Sequence, residues 1–520
     1  MKKILSVLFV VFSFGAFAQA PAMLSLKGYG GNGADGIAKQ VTKTIDGGFI
    51  LCTGTNSMNG SGNLDTFSYC TTMGNYSSSF IKYNPDATAI EWIKCYDQNG
   101  DSAFGYIFPT ADNGVVLGGQ YNFASSTSGF IILKENAIGN IVWNRNYSKG
   151  NGAVLRDMIA TSDGGYILAG NVVHTDTNFT VHGGSSLHAD IGIIKLDSLG
   201  NKIWSKAIGG SDEESIWAVV EVSAGYCIVG RTGSNDYDCT GNHGDYDVYL
   251  AMLDRDGNIL WHRDMGGTGS DAGVGVVADG TGGLLVAAYS SSLDGDVTHP
   301  SSSSGGYWLI DVDSSHQIEW DNCYGGGGGS CYPNSICKAI DGSIWIAGVS
   351  SHAGGGVDTA YGGEDAWIVH TESSGNFLNS KVLGSSLQDE AYMVYPLANG
   401  SVISGGYYFD SSGSFSSLNY FGSQDIFLTI LSPWVTSIYS VQTAKNGMRL
   451  YPNPATNEVT IVNENTGNYA LEIYNSIGSI IYKAVMTKNI TFSVSGWPLG
   501  VYSVKVLTES DTQLLKLVVE

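Results

Sequence analysis

One stretch of the sequence has the residue types and the spacing of a calcium-binding loop. Asp236, Asp238, Thr240 and Asp247 place oxygen atoms at loop positions 1, 3, 5 and 12, with Gly241 at position 6. Hard cations such as Ca²⁺ bind carboxylate and hydroxyl oxygens gathered around a sharp turn. Thr at position 5 and Asp at position 12 depart from the usual pattern. Counterparts of Asp247 stand at Asp190, Asp365 and Asp425. A repeated Asp of this kind often hydrogen-bonds loop backbone instead, so both interpretations stay open.

Histidine, acidic and aromatic residues collect in the segments that separate apolar runs. The candidates for ligand binding are His174, His243, Asp294, Asp296, His299 and Tyr361. Imidazole, carboxylate and aromatic groups on one surface can bind a sugar, a cation or a protein. The alternative is that each is an ordinary solvated loop residue.

Motifs of known catalytic sites are missing from the sequence. It contains no GxSxG elbow, no HExxH helix and no Ser/His/Asp order, and no carboxylate spacing marks a glycosidase pair. Residues 28–33 fit GxGxxG by spacing alone. An alternating strand pattern follows them, whereas a dinucleotide site needs a helix whose N-terminus holds the pyrophosphate. We therefore expect no catalytic residues.

The composition limits the class of protein. The chain has 520 residues, 71 of them Gly, and only 14% are charged, against about 25% in an ordinary domain. Lys and Arg number 25 and Asp and Glu number 48, for a net charge of −23. Few helix-forming residues argue against helix bundles, and the acidic balance argues against nucleic-acid binding.

The N-terminus has the pattern of a secretory signal peptide. Lys2 and Lys3 precede an apolar run over 4–17, and Ala16-Phe17-Ala18 provides a cleavage site. Removing residues 1–18 takes away two lysines, so the mature charge is −23 − 2 = −25. We expect no membrane-spanning segment in the mature chain, because no other apolar stretch is long enough.

A tight turn followed by an apolar run recurs seven times. Two copies are Asp163-Gly164-Gly165 before YILAG and Ser223-Ala224-Gly225 before YCIVG. The third turn residues are Gly48, Gly114, Gly165, Gly225, Gly283, Ser343 and Ser401, with gaps of 66, 51, 60, 58, 60 and 58 residues. This period indicates a repeat architecture in which each copy is one supersecondary unit.

Each repeat is predicted to form four antiparallel strands. The first turn is rich in Asp-Gly and Asn-Gly, which predicts a two-residue hairpin with positive φ at both central positions. The fifth residue after it is always small: Thr53, Gly119, Gly170, Gly230, Ala288, Gly348 and Gly406. The last strand carries a recurring tryptophan, namely Trp92, Trp143, Trp204, Trp261 and Trp320. We expect this ring to pack one repeat against the next.

Seven four-stranded repeats predict an all-β fold, a seven-bladed β-propeller over 19–431. The seventh repeat lacks its own fourth strand, and an extra strand at 24–31 aligns with 203–210 on Lys-x-x-Gly-Gly. We expect this N-terminal strand to complete the last blade and close the ring.

Eight cysteines in an exported chain favour disulfides. Short separations single out Cys323–Cys331 and Cys227–Cys239. The alternative is that Cys52 and Cys227, which stand in apolar runs, are small buried residues.

After a polar linker over 432–447, residues 448–520 form a second unit with strand patterns of its own, expected to be a small β-sandwich. Its motifs are Tyr451-Pro452-Asn453-Pro454, a segment with Gly500 and Tyr502, and a terminal strand with Lys516. This unit resembles the C-terminal sorting domain of substrates of the bacterial type IX secretion system. The resemblance implies the type IX machinery as a partner, and a location that is secreted or on the outer surface of the outer membrane. The repeats resemble those of uncharacterised secreted propellers, which supply a fold and no function.

The sequence therefore predicts a secreted or surface-bound propeller that recognises a glycan or a protein through a loop-rich face. A secreted glycan hydrolase or lyase on the same scaffold is the alternative, and a structural component of a surface assembly is a third possibility. The only cofactor that any motif suggests is Ca²⁺.

Overall fold

A computed structural model of the chain separates into two compact units, Met1–Val435 and Thr436–Glu520. It describes residues 21–44, 46–55, 77–85, 87–96, 102–121, 128–150, 153–173, 179, 188–300, 305–325, 329, 331–353, 357, 359–397, 400–432, 448–453, 455–463, 467, 469–474, 480–497, 500–507 and 512–519. The predicted signal peptide and almost all of the predicted linker lie outside these residues.

The described residues of the first unit form antiparallel strands and one short 3₁₀ turn, Gly413–Phe415. Its strands are β1 (Ala22–Tyr29), β2 (Asp35–Lys43), β3 (Phe49–Thr55), β4 (Ser77–Tyr83), β5 (Ile90–Tyr96), β6 (Ser102–Pro109), β7 (Val115–Tyr121), β8 (Ser128–Glu135), β9 (Ile141–Gly150), β10 (Val154–Ala160), β11 (Tyr166–Val173), β12 (Ala189–Leu196), β13 (Lys202–Ile208), β14 (Glu214–Val222), β15 (Gly225–Thr232), β16 (Asp247–Leu253), β17 (Ile259–Met265), β18 (Asp271–Ala278), β19 (Leu284–Ser290), β20 (Gly306–Val312), β21 (Ile318–Tyr324), β22 (Cys331–Lys338), β23 (Ile344–Ser350), β24 (Asp365–Thr371), β25 (Phe377–Leu383), β26 (Asp389–Pro396), β27 (Val402–Tyr408) and β28 (Asp425–Ser432).

The described strands form seven four-stranded sheets, which are the predicted blades. Blades 1 to 6 are β2–β5, β6–β9, β10–β13, β14–β17, β18–β21 and β22–β25, and blade 7 is β26–β28 with β1. The first strand of each blade contacts the next blade around the unit, and β26 of blade 7 contacts β2 of blade 1. The sheets therefore form a closed ring with the first strands innermost, as the repeat predicted.

The N-terminal strand closes this ring. β1 pairs antiparallel with β28, from Ala22 opposite Ser432 to Tyr29 opposite Ile426. Thr429 Oγ1 also donates to the carbonyl oxygen of Ser25 over 2.9 Å. The first strand of the chain is thus the outer strand of its last blade, and the prediction is confirmed.

The hairpin turns differ from the predicted type. In blade 3 the Thr161 amide donates to the Gly165 carbonyl and the Gly164 amide donates to the Thr161 carbonyl, both over 2.9 Å. Gly164 has a φ of 82°, and Asp163 has no positive φ. The turn is therefore a type I turn followed by one left-handed residue, closed by Asp163 Oδ1, which accepts the Gly165 amide over 2.9 Å. In blade 3 the prediction of two positive φ angles is wrong because the loop has three residues, and in blade 4, where Val222 pairs with Gly225, neither residue of the two-residue loop has a positive φ.

The small residue five positions after each turn faces a bulge in the innermost strand. In blade 4 the register of β14 against β15 shifts between Ile216 and Ala218. A Cβ at Gly230 would lie 1.9 Å from the carbonyl oxygen of Ser215. The close approach comes from a bulged backbone, which only a small residue admits.

The recurring tryptophans join successive blades, as expected. An added Cβ at Gly200, Gly257 or Gly375 would lie 2.7, 2.8 or 2.2 Å from the ring of Trp143, Trp204 or Trp320 of the preceding blade. Trp261 stacks instead on His316, with ring centroids 4.2 Å apart. Trp92 differs, because nothing lies within 4 Å of a Cβ added at Gly139.

None of the six described cysteines forms a disulfide. Cys227 packs in the core between blades 4 and 5, whereas Cys239 packs in the core between blades 3 and 4. Cys323 and Cys331 also pack in two different cores, on either side of blade 5. Both predicted pairings are therefore wrong, because the two thiols of each pair lie in cores on opposite sides of a blade. Cys52 and Cys227 are buried, which was the alternative.

The second unit has two small sheets. Its strands are β29 (Arg449–Tyr451), β30 (Glu458–Val462), β31 (Tyr469–Tyr474), β32 (Ile480–Met486), β33 (Asn489–Ser493), β34 (Gly500–Leu507) and β35 (Thr512–Val519). The sheet orders are β29-β30-β33 and β32-β31-β34-β35. Val459 of the first sheet packs in one core with Leu471 and Val504 of the second, which makes the unit a β-sandwich.

Candidate binding face of the propeller

One face of the ring is built by the longest loops. Consecutive strands of a blade run in opposite directions along the axis of the ring. The loops between second and third strands and the connections between blades therefore emerge on the same side. We call this side the loop face; its described parts are 30–34, 153, 179, 188, 209–213, 233–246, 266–270, 291–300, 305, 325, 329, 351–353, 357, 359–364, 384–388 and 409–424. The opposite side carries the short turns.

Side chains of the loop face hold neighbouring loops together. Asp236 Oδ1 accepts the amide of Ser211 and Asp294 Oδ1 accepts the amide of Thr268, both over 2.8 Å. Two connections are therefore fixed to the loops beside them by an equivalent carboxylate. This gives Asp236 and Asp294, which the sequence predicted as ligands, a structural role in the loop face.

A five-residue motif ends three of the long loops. It reads HGDYD at 243–247, YGGED at 361–365 and FGSQD at 421–425. The last carboxylate accepts the amide of the first residue, over 2.9 Å for His243, 2.7 Å for Tyr361 and 2.6 Å for Phe421. The repeated Asp was identified in the sequence. The full motif, a residue with a ring side chain followed by Gly-x-x-Asp, was not predicted, although the same residue types recur in all three copies.

A second acid begins the innermost strand of the next blade. Glu214, Asp271 and Asp389 accept the amide of the residue four positions earlier, over 2.8, 3.0 and 2.5 Å. Asp35 of blade 1 does the same over 2.7 Å. At four blade junctions this acid lies beside the Asp that starts the third strand of the preceding blade, in the pairs Asp190/Glu214, Asp247/Asp271, Asp365/Asp389 and Asp425/Asp35. We call these the junction pairs.

The junction pairs are deeply buried, and burial changes their acidity. Asp389 and Asp425 are 0% exposed. Burial first, and the neighbouring acid in addition, raises the pKa of Asp389 to about 6 and that of Asp425 to about 7. Each pair thus resists carrying two negative charges.

The junction of blades 4 and 5 gathers several of the predicted site residues. His243 Nδ1 lies 2.6 Å from Asp247 Oδ2. Burial opposes the charged imidazole, but the bond to Asp247 and the nearby Asp296 and Asp264 raise the pKa of His243. Asp296 also lies 3.6 Å from Arg263. The structure therefore brings together His243, Asp294 and Asp296.

A buried acid and an imidazole lie under the same loop. Asp264 is 6% exposed, and a carboxylate oxygen lies 3.5 Å from Nδ1 of His262. Thr240 Oγ1 lies 3.5 Å from Nε2 of the same ring. The carboxylate of Asp264 raises the pKa of His262, while burial raises the pKa of Asp264. This pair could not be predicted from the repeats, because Asp264 has no acidic counterpart in the other last strands.

The remaining predicted ligand residues lie at separate places. The side chain of His299 is 68% exposed and lies 3.6 Å from Asp321. Tyr361 packs beside Gly384 at the junction of blades 6 and 7. His174 lies outside the described residues.

The predicted calcium loop does not converge on one point. Asp236 holds Ser211, Thr240 faces His262, and Asp247 is buried against His243. The amide of Asp238 donates to the carbonyl oxygen of Gly209 over 3.2 Å. Among the described residues, no group of three or more His, Cys, Asp or Glu is arranged to hold a metal ion. Calcium at this loop stays a prediction.

Exposed apolar side chains lie on the loop face, as they also do on short turns of the opposite side such as those with Ile138 and Ile340. Tyr237 is 65% exposed, Leu293 57%, Leu387 50% and Tyr361 42%. These side chains stand on loops that are otherwise polar and held by hydrogen bonds.

The C-terminal unit brings two of its predicted motifs together. Asn453 Oδ1 accepts the amide of Val518 over 2.8 Å, and the Ala455 amide donates to the Val518 carbonyl over 2.8 Å. Gly500 begins β34, Tyr502 is buried in the core, and Lys516 pairs with Ser503. Tyr451 and Pro452 precede this contact, and Pro454 lies outside the described residues.

Comparisons with known proteins identify this second unit. Residues 449–520 match the family described as the secretion system C-terminal sorting domain. No curated protein matches the chain. In the part of the chain that the structure describes, no helix is long and apolar enough to cross a membrane. The sorting domain is that of type IX secretion, so the protein is secreted and attached at the cell surface.

Solved structures resemble the propeller only distantly. A protein of unknown function from Dyadobacter fermentans DSM 18053 is 13% identical, with a TM-score of 0.39 over 79% of this chain and 99% of that one. A subtype N10 neuraminidase-like protein of A/little yellow-shouldered bat/Guatemala/060/2010 is 10% identical, with a TM-score of 0.35 over 79% and 100%. A Synechocystis apocarotenoid oxygenase mutant is 10% identical, with a TM-score of 0.34 over 69% and 95%. The strand order, and not these similarities, establishes the seven-bladed propeller.

Proposed function

We propose that this secreted propeller is a binding protein that engages a glycan or a protein at the cell surface through its loop face. The observation that carries the proposal is the exposure of Tyr237, Leu293, Tyr361 and Leu387 on that face. Exposed apolar and aromatic side chains with a polar surround are typical of interaction sites.

The loops that carry these side chains support the proposal. The bonds from Asp236 to Ser211 and from Asp294 to Thr268 hold neighbouring loops in one arrangement. A surface that is already ordered loses little conformational entropy when it binds. Acidic side chains around the apolar ones favour ligands with hydroxyl groups or basic groups.

The test uses the full mature chain. It is applied to an array of bacterial and plant glycans and to capture of cell-surface proteins, in parallel with Tyr361→Ala and Leu293→Ser. We expect these variants to weaken binding by about tenfold or more, as is usual for a central aromatic or apolar contact.

Ile138→Ser is the matched control, because Ile138 is 81% exposed in a turn on the opposite side. Equal loss in the control and in the loop-face variants would contradict a site on the loop face. Failure of both ligand classes to bind would contradict binding as the function.

One observation favours a second function, a glycan lyase or hydrolase. His262 is 3.5 Å from the buried Asp264, whose carboxylate favours the protonated form of the imidazole. An imidazole held in this way can transfer a proton. Turnover of a polysaccharide that disappears in His262→Asn would support catalysis and would replace binding as the primary function.

A further inference from the structure

The junction pairs place two buried carboxylates close together. Asp247, Asp271, Asp389 and Asp425 are 0% exposed and Asp365 is 1% exposed. The imidazole of His243 pairs with Asp247, but no lysine or arginine of the described chain forms an ion pair with any of these five residues. Buried charges of one sign need a compensating charge or a proton.

Oxygen atoms of these pairs also lack hydrogen bonds. Oδ2 of Asp247, Asp365 and Asp425 accepts a loop amide, but Oδ1 of each accepts none within the described residues. Oδ1 of Asp271 accepts none there either. A buried carboxylate oxygen normally has a partner, so four such atoms in one ring call for an explanation.

These oxygens point into the junctions. At the first glycine of the connection, Gly266, an added Cβ would lie 2.7 Å from Asp247 Oδ1 and 2.5 Å from Asp271 Oδ2. At the equivalent Gly384 and Gly30 it would lie 1.9 Å from Oδ1 of Asp365 and of Asp425. Glycine is required at these positions because a carboxylate lies against the main chain of the connection, and at Gly266 carboxylates from two blades do so.

We propose that the junction pairs bind Ca²⁺ between neighbouring blades. The ligand atoms would be oxygens from both blades, supplemented by main-chain carbonyls of the Gly-rich connections and by water, a set that Ca²⁺ accepts. Oxygen ligands without sulfur, and without nitrogen at Asp365/Asp389 and Asp425/Asp35, disfavour zinc and copper. This site shares only Asp247 with the loop that the sequence predicted.

Ca²⁺ at these positions would hold the ring together. One ligand comes from the third strand of one blade and the other from the first strand of the next, so the ion would add to the isolated main-chain bridges that link the blades there, such as Ala34 with Gln424 and Tyr246 with Ser270. The pair Asp425/Asp35 lies where the last blade meets the first. The proposal is independent of ligand binding by the loop face.

The experiment uses the full mature chain, stripped with EDTA and then titrated with CaCl₂ or MgCl₂. We expect about four Ca²⁺ per chain by elemental analysis and a rise of about 5 °C or more in Tm with millimolar Ca²⁺. Asp271→Asn should lower the stoichiometry by one. Asp321→Asn is the control, because Asp321 is buried but hydrogen-bonded by Trp308 and Thr298; it should keep the full stoichiometry and the Tm response.

Terbium luminescence tests the proposal without a variant. Tb³⁺ bound at Asp365 would be sensitised by nearby aromatic rings such as Trp367 and displaced by Ca²⁺. Absence of bound Ca²⁺, with Tm unchanged by Ca²⁺ but higher at low pH, would show that the pairs hold protons and would overturn the proposal. An equal response to Mg²⁺ would overturn the assignment to Ca²⁺.

Discussion

The indole ring of Trp204 in blade 3 lies against Gly257 in the turn between the last two strands of blade 4. A Cβ at Gly257 would lie 2.8 Å from Cζ3 of that ring, and Gly257 has a φ of 79°. Trp204 Nε1 also donates to the carbonyl oxygen of Arg255 over 2.9 Å. One glycine thus satisfies both the turn and the contact between blades.

Gly257→Ala should destabilise the propeller by about 2–4 kcal/mol, since it adds a left-handed Ala and a clash with a packed ring. Gly139→Ala is the matched control. Gly139 has a φ of 83° in the equivalent turn, with nothing within 4 Å of its Cβ position. Gly139→Ala should lower the free energy of unfolding by about 1 kcal/mol, because it adds only backbone strain. Urea unfolding measures the free energy of unfolding of both variants. Equal destabilisation by Gly257→Ala and Gly139→Ala would contradict a role for the tryptophan contact.

Removing Ala22–Tyr29 should destabilise the ring strongly, because β28 would become an unpaired edge. We expect a loss on the order of 5 kcal/mol, a large part of a typical domain's stability, together with a tendency to aggregate. Lys27→Ala is the control. It removes only an exposed bond to the carbonyl oxygen of Thr88 and should change the free energy of unfolding by about 0.5 kcal/mol or less. A shortened chain with wild-type Tm would contradict closure by β1.

In EDTA the stability of the propeller should fall as the pH rises from about 4 to about 7. Burial raises the pKa of Asp389 to about 6 and that of Asp425 to about 7, above the ordinary value of about 3.9 in the unfolded chain. The native state therefore binds more protons, and its extra stability is complete below about pH 4 and lost as the pH passes the raised pKa.

Urea unfolding at a series of pH values measures this slope. Asp425→Asn cannot lose a proton, so it should flatten the slope near pH 7, whereas the exposed Asp245→Asn should leave it unchanged. A stability that rises over the same range would contradict the raised pKa values.

Truncation before Thr512 should abolish display at the cell surface. It removes β35, which pairs with β34, and the Val518 amide that Asn453 accepts. The sorting domain would then lose a strand of its larger sheet. Protease accessibility on intact cells measures the outcome, with Tyr237→Ala on the loop face as a control that should still reach the surface. Surface display of the truncated chain would show that an intact sorting domain is not needed.

Much of this architecture could be predicted from the sequence, because it depends on local patterns. Turn residues such as Asp163 and Gly164 and the alternating runs around them define the strands, and their sevenfold recurrence defines the blades. The closing strand could be predicted because residues 24–31 match the last strand of a repeat but stand before the first repeat. The sorting motifs were visible because each is a short contiguous segment.

Only the tertiary structure decided which side chains meet across a junction. Asp247 and Asp271 stand in different blades, and nothing in their spacing indicates that both approach Gly266. Cys227 and Cys239 are close in sequence but lie in the cores on opposite sides of one blade. The physical reason is that strand periodicity sets the side on which a residue lies, whereas contacts between blades depend on the path of long loops and on how the sheets stack around the ring.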